Sequence, residues 1–556
     1  MDIIQAIAGA LAPALSMTAE DAAALIEFQP DSSRGDYSLP CFKFAKVLRK
    51  SPPMIAKDLA EETFPPIIAR AEAVGPYVNF FTDRAAFARE TFENPPTLVS
   101  DAFAGKTIVI DYSSPNIAKN FHVGHLRSTV IGGALTRIFR AVGANVVGVN
   151  HLGDWGTQFG KLIVGYLSHS SEKAVERGGI SELQRVYVQY HEDAEKDPSL
   201  DDTARAWFIR LQNGDPEAVR LWSWFRELSL REFEMIYERL GVTFDAVTGE
   251  SFYNDKMSAV VDELRAKNLL TESDGAMVVR LEDYGMPPCL ILRGDGGTLY
   301  PTRDIAAAQY RRTVYGFDKC LYVTALDQTL HFAQWFKVAE LMDDSYADKL
   351  AHIPFGLVSL PEGSLSTRKG RVVMMEDLLN EAVRAARSII DERSPNLADK
   401  DAVAEKIGVG AVIFNDLYNN RIKDVVFSLE RMISFEGETG PYLQYTYARA
   451  SSVTRKAGVT GETNYSALSE PLSFDVVKLL SRFPNAVAEA AEKYEPYIIS
   501  RYLIKLAQVF NRFYHEIRIL SASESERPAR LALAAAVKNV IGDGLRIIGV
   551  SVVDEM

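Results

Sequence analysis

The stretch KTIVIDYSSPNIAKNFHVGHLRSTV, residues 106–130, decides the fold of this chain. It begins with the short apolar run TIVI, residues 107–110, which is typical of a buried parallel strand. Pro115 disfavours a right-handed helical conformation at the residue before it, so the chain is expected to turn after the strand. A helical pattern then runs from residue 122 to about 142. Strand, turn and helix together predict the opening of a nucleotide-binding α/β unit.

The start of this helix carries groups that suit an anion. His122 and His125 are three residues apart and therefore share one face of the first turn. Gly124 between them would let a flat ligand approach the backbone, and Lys119 adds a positive charge upstream. The free N–H groups and the dipole of the helix start also favour anions. We expect a nucleotide phosphate site here, although two histidines on an ordinary surface helix would have the same spacing.

The flanking residues favour the functional interpretation. SSPNIAK, residues 113–119, followed by FHVGHLRST, residues 121–129, resembles the first signature of class I aminoacyl-tRNA synthetases, in the form found in arginyl-tRNA synthetases. NHLGDWGTQFG, residues 150–160, follows a second apolar run and resembles the second signature of that family. The resulting β-α-β order predicts a Rossmann-like doubly wound parallel sheet.

The second half of the sheet is expected to resume at the apolar run of residues 289–292 and to include a short strand at residues 298–300, with a helix opening at Arg303. The loop GSLSTRKG, residues 363–370, follows the last strand. It resembles the Lys-Met-Ser-Lys-Ser signature of class I enzymes, with Ser364 and Thr367 in place of the two lysines. We therefore hypothesise that phosphate charge is neutralised by other cations, for which the candidates are Arg368, Lys369 and Lys119.

The resemblance covers nearly the whole chain and implies a multidomain α/β protein. The expected parts are an N-terminal α/β domain that contacts the tRNA elbow, a catalytic domain split by an insertion, a helical stem and a C-terminal α-helical anticodon-binding bundle. In that order the predicted ranges are 1–100, 101–165 for the first catalytic half, 166–285 for the insertion, 286–375 for the second catalytic half, 376–430 for the stem and 431–556 for the bundle.

The resemblance also implies a reaction. The carboxylate of L-arginine would attack the α-phosphate of ATP, and the arginyl-adenylate would pass arginine to the 3′ end of tRNA(Arg). Mg²⁺ would arrive as part of the ATP complex, with no protein metal site and no tightly bound cofactor. In this family, activation itself usually needs bound tRNA.

Site residues follow from the resemblance, position by position. The expected catalytic residues are Lys119, His122, His125, Ser366, Arg368 and Lys369. The expected ATP-binding residues are His122, Gly124, His125, Gly153, Asp154, Ser366, Thr367 and Arg368. The expected arginine-binding residues are Asp111, Ser113, Asn116, His151, Tyr300, Asp304 and Gln328. The expected tRNA-binding residues are Tyr445, Arg449, Arg501, Arg512 and Met556.

Composition agrees with a globular enzyme of the cytoplasm. The chain has 556 residues and a net charge of −13, so an RNA surface would have to concentrate its cations locally. No apolar run reaches the length of a membrane helix, and the N-terminus lacks the basic start of a signal peptide. The isolated cysteines Cys41, Cys289 and Cys320 predict neither disulfides nor a zinc knuckle. The sequence itself does not indicate the oligomeric state; the resemblance implies a monomer, and no coiled-coil heptads argue otherwise.

Three rival functions are considered. Another class I synthetase, such as the cysteinyl enzyme, should show cysteine and histidine zinc ligands, which this pattern of isolated cysteines does not provide. A small-molecule nucleotidyltransferase would not need the long C-terminal region with mixed basic and aromatic residues. A non-catalytic tRNA-binding paralogue is disfavoured because both signatures are present.

Overall fold

The computed structural model describes residues 3–29, 32–95, 97–294, 296–360, 363–364, 373–457 and 463–556. These residues form an N-terminal α/β unit, a five-stranded parallel sheet between helices, a largely helical insertion and a C-terminal helical bundle. The expected fold class is therefore confirmed. In the described part of the chain, no helix is long and apolar enough to cross a membrane.

The N-terminal unit is an antiparallel four-stranded sheet, in the order β1-β2-β4-β3, with short helices packed around it. Its elements are α1 (Ile3–Leu15), α2 (Ala19–Ala23), β1 (Glu27–Phe28), β2 (Tyr37–Pro40), α3 (Ala45–Leu48), α4 (Pro52–Ala60), β3 (Ile68–Val74), β4 (Tyr77–Thr82) and α5 (Arg84–Glu93). A buried ion pair between Asp36 and Lys478, 3.1 Å long, joins this unit to the C-terminal bundle.

The first catalytic half consists of β5 (Thr107–Asp111), α6 (Leu126–Ala141), β6 (Asn145–Asn150) and α7 (Gln158–His169). Alternate residues of β5 enter two different cores. Ile108 and Ile110 pack in the core that contains α6, whereas Val109 packs in a second core on the opposite face. Both faces of the sheet are thus covered by apolar side chains, as a parallel sheet requires.

The insertion contains three long helices and a separate small sheet. Its elements are α8 (Glu172–Ala194), α9 (Ser199–Gln212), α10 (Pro216–Leu240), β7 (Ala246–Val247), α11 (Met257–Ala266), β8 (Leu270–Ser273), β9 (Ala276–Val279) and β10 (Cys289–Leu292). The expectation that the parallel sheet resumes at residues 289–292 is wrong, because β10 pairs antiparallel with β9. The strand that instead pairs parallel with β6 is β7.

The second catalytic half comprises α12 (Tyr300–Tyr315), β11 (Lys319–Tyr322), α13 (Thr329–Met342) and β12 (Leu350–His352). The predicted strand at residues 298–300 is also wrong, since α12 already begins at Tyr300 with a proline in its first turn. The parallel sheet has the order β12-β11-β5-β6-β7. All five strands run parallel, and the strand order reverses between β5 and β11. Ligands of such sheets bind in the crevice at that point.

The remaining elements form the connection from the sheet to the C-terminal bundle and the bundle itself. They are β13 (Val358–Leu360), β14 (Gly363–Ser364), α14 (Met375–Arg393), α15 (Lys400–Leu417), β15 (Val425–Val426), α16 (Leu429–Met432), α17 (Gly440–Ala457), α18 (Pro471–Ser481), α19 (Phe483–Lys493), α20 (Tyr497–Glu516) and α21 (Arg527–Ile548). On α20, apolar residues recur every three to four positions and are buried, as on a helix that packs along one face; they are Ile499, Leu503, Leu506, Phe510 and Phe513.

Candidate active site

A cavity of about 560 Å³ opens where β5, β6 and β11 end. It brings together ten of the residues singled out in the sequence. They are Asp111, Ser113, Asn116, Gly124, His125, His151, Gly153, Tyr300, Asp304 and Gln328. These ten include all the residues expected to bind arginine, so residues that were assigned to one site from the sequence do line one cavity.

Asp111, at the end of β5, is already paired within the protein. Its Oδ2 accepts a hydrogen bond from Nη2 of Arg311 at 2.7 Å, and its Oδ1 accepts one from Oγ of Ser114 at 2.8 Å. The Arg311 side chain is only 1 % exposed. Asp111 therefore has its charge balanced before any substrate enters, by a partner that no sequence pattern indicated.

One face of α12 lines the cavity. Tyr300, Asp304, Ala307 and Arg311 follow one another at intervals of three or four residues and so project to the same side. The Oδ2 atom of Asp304 lies 2.7 Å from Nε2 of His331, which belongs to α13 and also lines the cavity.

Glu250 is a cavity residue that the sequence did not reveal. It opens a short 3-10 helix after β7, inside the range assigned to the insertion, and its carboxylate lies 3.4 Å from a guanidinium nitrogen of Arg303. Burial raises the pKa of Glu250 to about 7, with smaller contributions from the negative charges of Asp304 and Asp154 and an opposing one from Arg303.

The charges around the cavity do not cancel. Three carboxylates, of Asp111, Glu250 and Asp304, line the cavity together with the guanidinium group of Arg311, and a second guanidinium, of Arg303, lies 3.4 Å from Glu250. When all three carboxylates are ionised, they exceed the two guanidinium groups by one negative charge. The space therefore suits a ligand with a cationic end.

His122 and His125 meet in the first turn before α6, with ring centres 3.9 Å apart. The N–H of Gly124 donates to Nδ1 of His122 at 3.0 Å, and the N–H of His122 donates to Nδ1 of His125 at 3.2 Å. Because each Nδ1 accepts, a neutral ring carries its hydrogen on Nε2. Both histidines are thus set to donate from Nε2, as a phosphate requires.

Burial keeps these imidazoles neutral. It lowers the pKa of His125 to about 3, assisted by the neighbouring His122 and by Lys119, and it lowers the pKa of His122 as well. The exposed Lys119 therefore lies close enough to add positive charge to this corner, as the sequence predicts.

These shifts predict a dependence of stability on pH. An unfolded histidine titrates near 6.5, so the unfolded chain binds the extra proton first and stability falls as the pH drops from about 6.5 towards 3. We expect His125→Gln to flatten this decline of the melting temperature. The matched change His515→Gln, at an exposed histidine, should leave the decline unchanged. An equal decline in the His125 variant would contradict the assignment.

Two glycines allow the close packing around the cavity. A Cβ atom on Gly124 would lie 2.8 Å from the His122 ring, and one on Gly153 would collide with the Asn116 side chain. Gly153 also exchanges backbone hydrogen bonds with the 115–117 segment. In that loop, Ser113 and Ser114 adopt left-handed backbone conformations, with φ of 67° and 49°. Such strain is typical of ligand sites.

Asp154 does not line the cavity. Its fully buried carboxylate accepts hydrogen bonds from Arg226 at 3.0 Å and from the backbone and side chain of Ser251. It therefore connects the loop after β6 to the insertion, and its expected contact with ATP stays a prediction.

The loop residues Ser366, Thr367, Arg368 and Lys369 lie outside the described part of the chain. The segment that follows them returns to the histidines, because the N–H of Val123 donates to the carbonyl of Val373 at 3.1 Å. The N–H of Met375 donates to the carbonyl of Phe121 at 3.0 Å. Backbone hydrogen bonds thus join the histidine-containing stretch to the segment that follows the signature loop.

A second cavity, of about 690 Å³, lies between α14, α17, α20 and the C-terminus. It is lined by Tyr445, Arg449 and Met556, three of the expected tRNA-binding residues. The guanidinium of Arg449 stacks over Tyr445 at 4.7 Å and donates to Asn511 at 2.6 Å.

The other two expected tRNA-binding residues lie elsewhere on α20. Arg501 packs over Tyr418 and Tyr497, and the exposed Arg512 pairs with Glu516 in the next turn. Neither lines the second cavity, and their contact with tRNA stays a prediction.

Comparisons with known proteins agree with this geometry. Residues 97–429 match the family model for class I tRNA synthetases (R), catalytic domain. Residues 443–556 match the DALR anticodon binding domain, and residues 1–82 match the arginyl tRNA synthetase N-terminal domain. The fold and the site thus define a class I aminoacyl-tRNA synthetase.

Individual relatives show which family within this class the chain belongs to. The arginine–tRNA ligase of Clostridium acetobutylicum is 48 % identical over 563 residues and covers 100 % of both chains. That of Clostridium beijerinckii is 50 % identical over 539 residues, 96 % of each chain. The arginyl-tRNA synthetase of Thermus thermophilus superposes with a TM-score of 0.86 at 25 % identity, covering 100 % of this chain and 99 % of that one. The chain belongs to the arginyl-tRNA synthetase family.

Proposed function

We propose that the chain activates L-arginine with ATP and transfers it to the 3′ end of tRNA(Arg). The observation that carries this proposal is the cavity beside the histidine pair, whose carboxylates exceed its guanidinium groups by one. Asp304 and Glu250 would receive the guanidinium of the substrate. Asp111, Ser113, Asn116 and His151, at the strand ends, would hold its amino and carboxyl groups.

Arginine suits this site better than lysine. A planar guanidinium offers donors in a rigid fork, and the two carboxylates approach the cavity from different elements, the 3-10 helix after β7 and α12. The ammonium group of lysine is a point charge that cannot satisfy both in this way.

The chemistry is positioning and charge stabilisation. The carboxylate of arginine attacks the α-phosphate of ATP in line, and pyrophosphate leaves. The Nε2–H groups of His122 and His125 donate to the phosphates, and the lowered pKa values keep both rings in the donating neutral form. Ser366, Arg368 and Lys369 would close over them, and Mg²⁺ is assigned to the ATP substrate.

Two surfaces are proposed for tRNA. The second cavity, with stacked Tyr445 and Arg449, has the arrangement that holds an unstacked base. On the N-terminal unit, the exposed rings of Phe42 and Tyr77 pack edge to face beside the exposed Lys43. Exposed aromatic and basic groups together fit the tRNA elbow. We further propose a monomer that works in the cytoplasm.

Exchange of pyrophosphate into ATP, measured with each amino acid, with and without tRNA(Arg), tests the function. Exchange with arginine alone, dependent on tRNA, is the expected result. Exchange with arginine in the absence of tRNA would support the enzymatic activity but would refute the dependence of activation on tRNA. No exchange under any condition, with tRNA still bound, would instead favour the non-catalytic paralogue.

Lys119 is proposed to supply charge that the signature loop lacks. The proposal is supported by its positive charge, which contributes to the lowered pKa of both histidines. We expect Lys119→Ala to slow arginine activation by roughly tenfold, the scale of one lost charge-assisted contact. Lys267→Ala, at an exposed lysine of the insertion, is the control. An unchanged activation rate in the Lys119 variant would eliminate this role.

A further inference from the structure

Asp304 and His331 form a hydrogen-bonded pair, and the proposed function assigns a role to Asp304 but none to His331. Asp304 lies on α12 and His331 on α13, and both line the cavity. Nε2 of His331 is 2.7 Å from Oδ2 of Asp304. Because a carboxylate only accepts hydrogen bonds, Nε2 carries the hydrogen and donates it.

The position of His331 is fixed by its helix. It is the third residue of α13, which is anchored by Gln334, whose side chain donates to the carbonyls of Pro287 and Pro288 at 2.8 and 3.1 Å. The neighbouring Phe332 and Trp335 are buried in the core beneath. The imidazole is therefore held on a rigid support, as an orienting group must be.

The carboxylate of Asp304 needs such a partner, because a rival cation is close in sequence. Arg303 precedes it and is 3.4 Å from Glu250, and the Nε atom of Arg303 is buried without a hydrogen-bond partner among the described residues. If the Asp304 carboxylate could rotate freely, it could pair with the guanidinium of Arg303. Its charge would then not be available to bind the substrate.

We propose that His331 is a positioning residue for amino acid recognition. It holds Oδ2 of Asp304 and thereby leaves Oδ1 aimed at the guanidinium of arginine. This inference rests on the proposed function of the cavity and deepens it, since His331 acts on the substrate only through Asp304.

The test uses the full chain with tRNA(Arg), in the pyrophosphate exchange reaction. We expect His331→Leu to raise the KM for arginine by roughly tenfold, the scale of a hydrogen bond to a charged group. The KM for ATP and kcat should stay within about twofold, because the histidine pair is untouched. The preference for arginine over lysine should fall in parallel.

Two conservative variants separate positioning from simple packing. The amide nitrogen of glutamine can occupy the place of Nε2, so His331→Gln should retain the KM for arginine. The amide of asparagine is too short to reach Asp304, so His331→Asn should behave like His331→Leu although it is polar. Failure of glutamine to rescue, with the protein folded, would overturn the proposal.

The chain offers a matched control pair. Nε2 of His169 lies 2.6 Å from Oδ2 of Asp193, between α7 and α8, with exposed fractions close to those of His331 and Asp304. His169→Leu should leave the KM for arginine unchanged.

A double variant decides whether His331 acts through Asp304. Asp304→Ala combined with His331→Leu should be no worse than Asp304→Ala alone. Additive losses would overturn the proposal. If Asp304→Ala has no effect, the proposed pocket itself is wrong; if only His331→Leu has none, the pocket stands and this inference fails.

Discussion

Asp304→Ala is expected to reduce kcat/KM for arginine by about two orders of magnitude. Removing one partner of a desolvated charge pair costs about 3–5 kcal/mol, and each 1.4 kcal/mol is a factor of ten. The side chain is about a quarter exposed without substrate, so the lower end of this range applies. The measurement is arginine-dependent pyrophosphate exchange with tRNA present.

The loss should fall on arginine and not on ATP. Asp304 faces the end of the cavity that contains Glu250, whereas the phosphates would meet His122 and His125. We therefore expect the KM for ATP to change by less than about twofold. Asp304→Asn, which keeps an acceptor for His331 but removes the charge, should lose nearly as much as the alanine variant.

Asp193→Ala is the control for this prediction. That carboxylate lies a similar distance from a histidine, but it belongs to α8 of the insertion and contacts the end of α7. If both variants lose activity equally, the effect is one of stability and Asp304 is not a recognition residue. An unchanged KM for arginine in the Asp304 variant would remove it from the pocket.

The sequence predicted the site well where its residues lie close together along the chain. Asp111, Asn116 and His125 come from one strand-turn-helix unit, and the end of the strand and the start of the helix meet by local geometry. Parallel strands also place their carboxyl ends at one edge of the sheet, which brings Gln328, after β11, to the same cavity. Tyr300 and Asp304 reach the cavity on α12, which follows the antiparallel strand β10. Periodicity and chain order alone predicted only that two acidic residues, Asp111 and Asp304, face the site; the rest of the set came from the family resemblance.

Partners distant in the chain could not be predicted. Arg311 is 200 residues from Asp111, and Glu250 lies in a segment whose pattern looks like a connection within the insertion. A short apolar run also does not reveal which sheet it joins: in β10, Leu290 is 49 % exposed and the strand pairs antiparallel. Only the start of α12 had an unused signal, because Pro301 after Tyr300 suits the first turn of a helix.

Arg127→Met is expected to lower stability more than any single surface change in this chain. The Arg127 side chain is 1 % exposed and its Nε donates to Asp416 at 2.8 Å. Its Nη1 donates to the carbonyls of Gly356 and Lys423, both at 2.8 Å. One side chain thus joins α6, just after the histidine pair, to α15 and to the starts of β13 and β15.

The loss leaves a carboxylate in the interior without its counter-charge. Burial already raises the pKa of Asp416, and Arg127 is the group that opposes this shift. Breaking such a pair costs about 3–5 kcal/mol, so the apparent melting temperature should fall by several degrees. Arg512→Met, at an exposed ion pair on α20, should change it little.

The double variant Arg127→Met with Asp416→Leu distinguishes the neutralisation of Asp416 from the hydrogen bonds that Arg127 donates to backbone carbonyls. It removes the unpaired carboxylate, so part of the stability should return. The carbonyls of Gly356 and Lys423 still lack their donor, so the recovery should be incomplete. Gly356 precedes β13, which leads to the signature loop, and Lys423 precedes β15, which pairs with β13. Arginine activation should therefore stay reduced even where stability recovers. Full recovery of both would show that Arg127 serves only to neutralise Asp416.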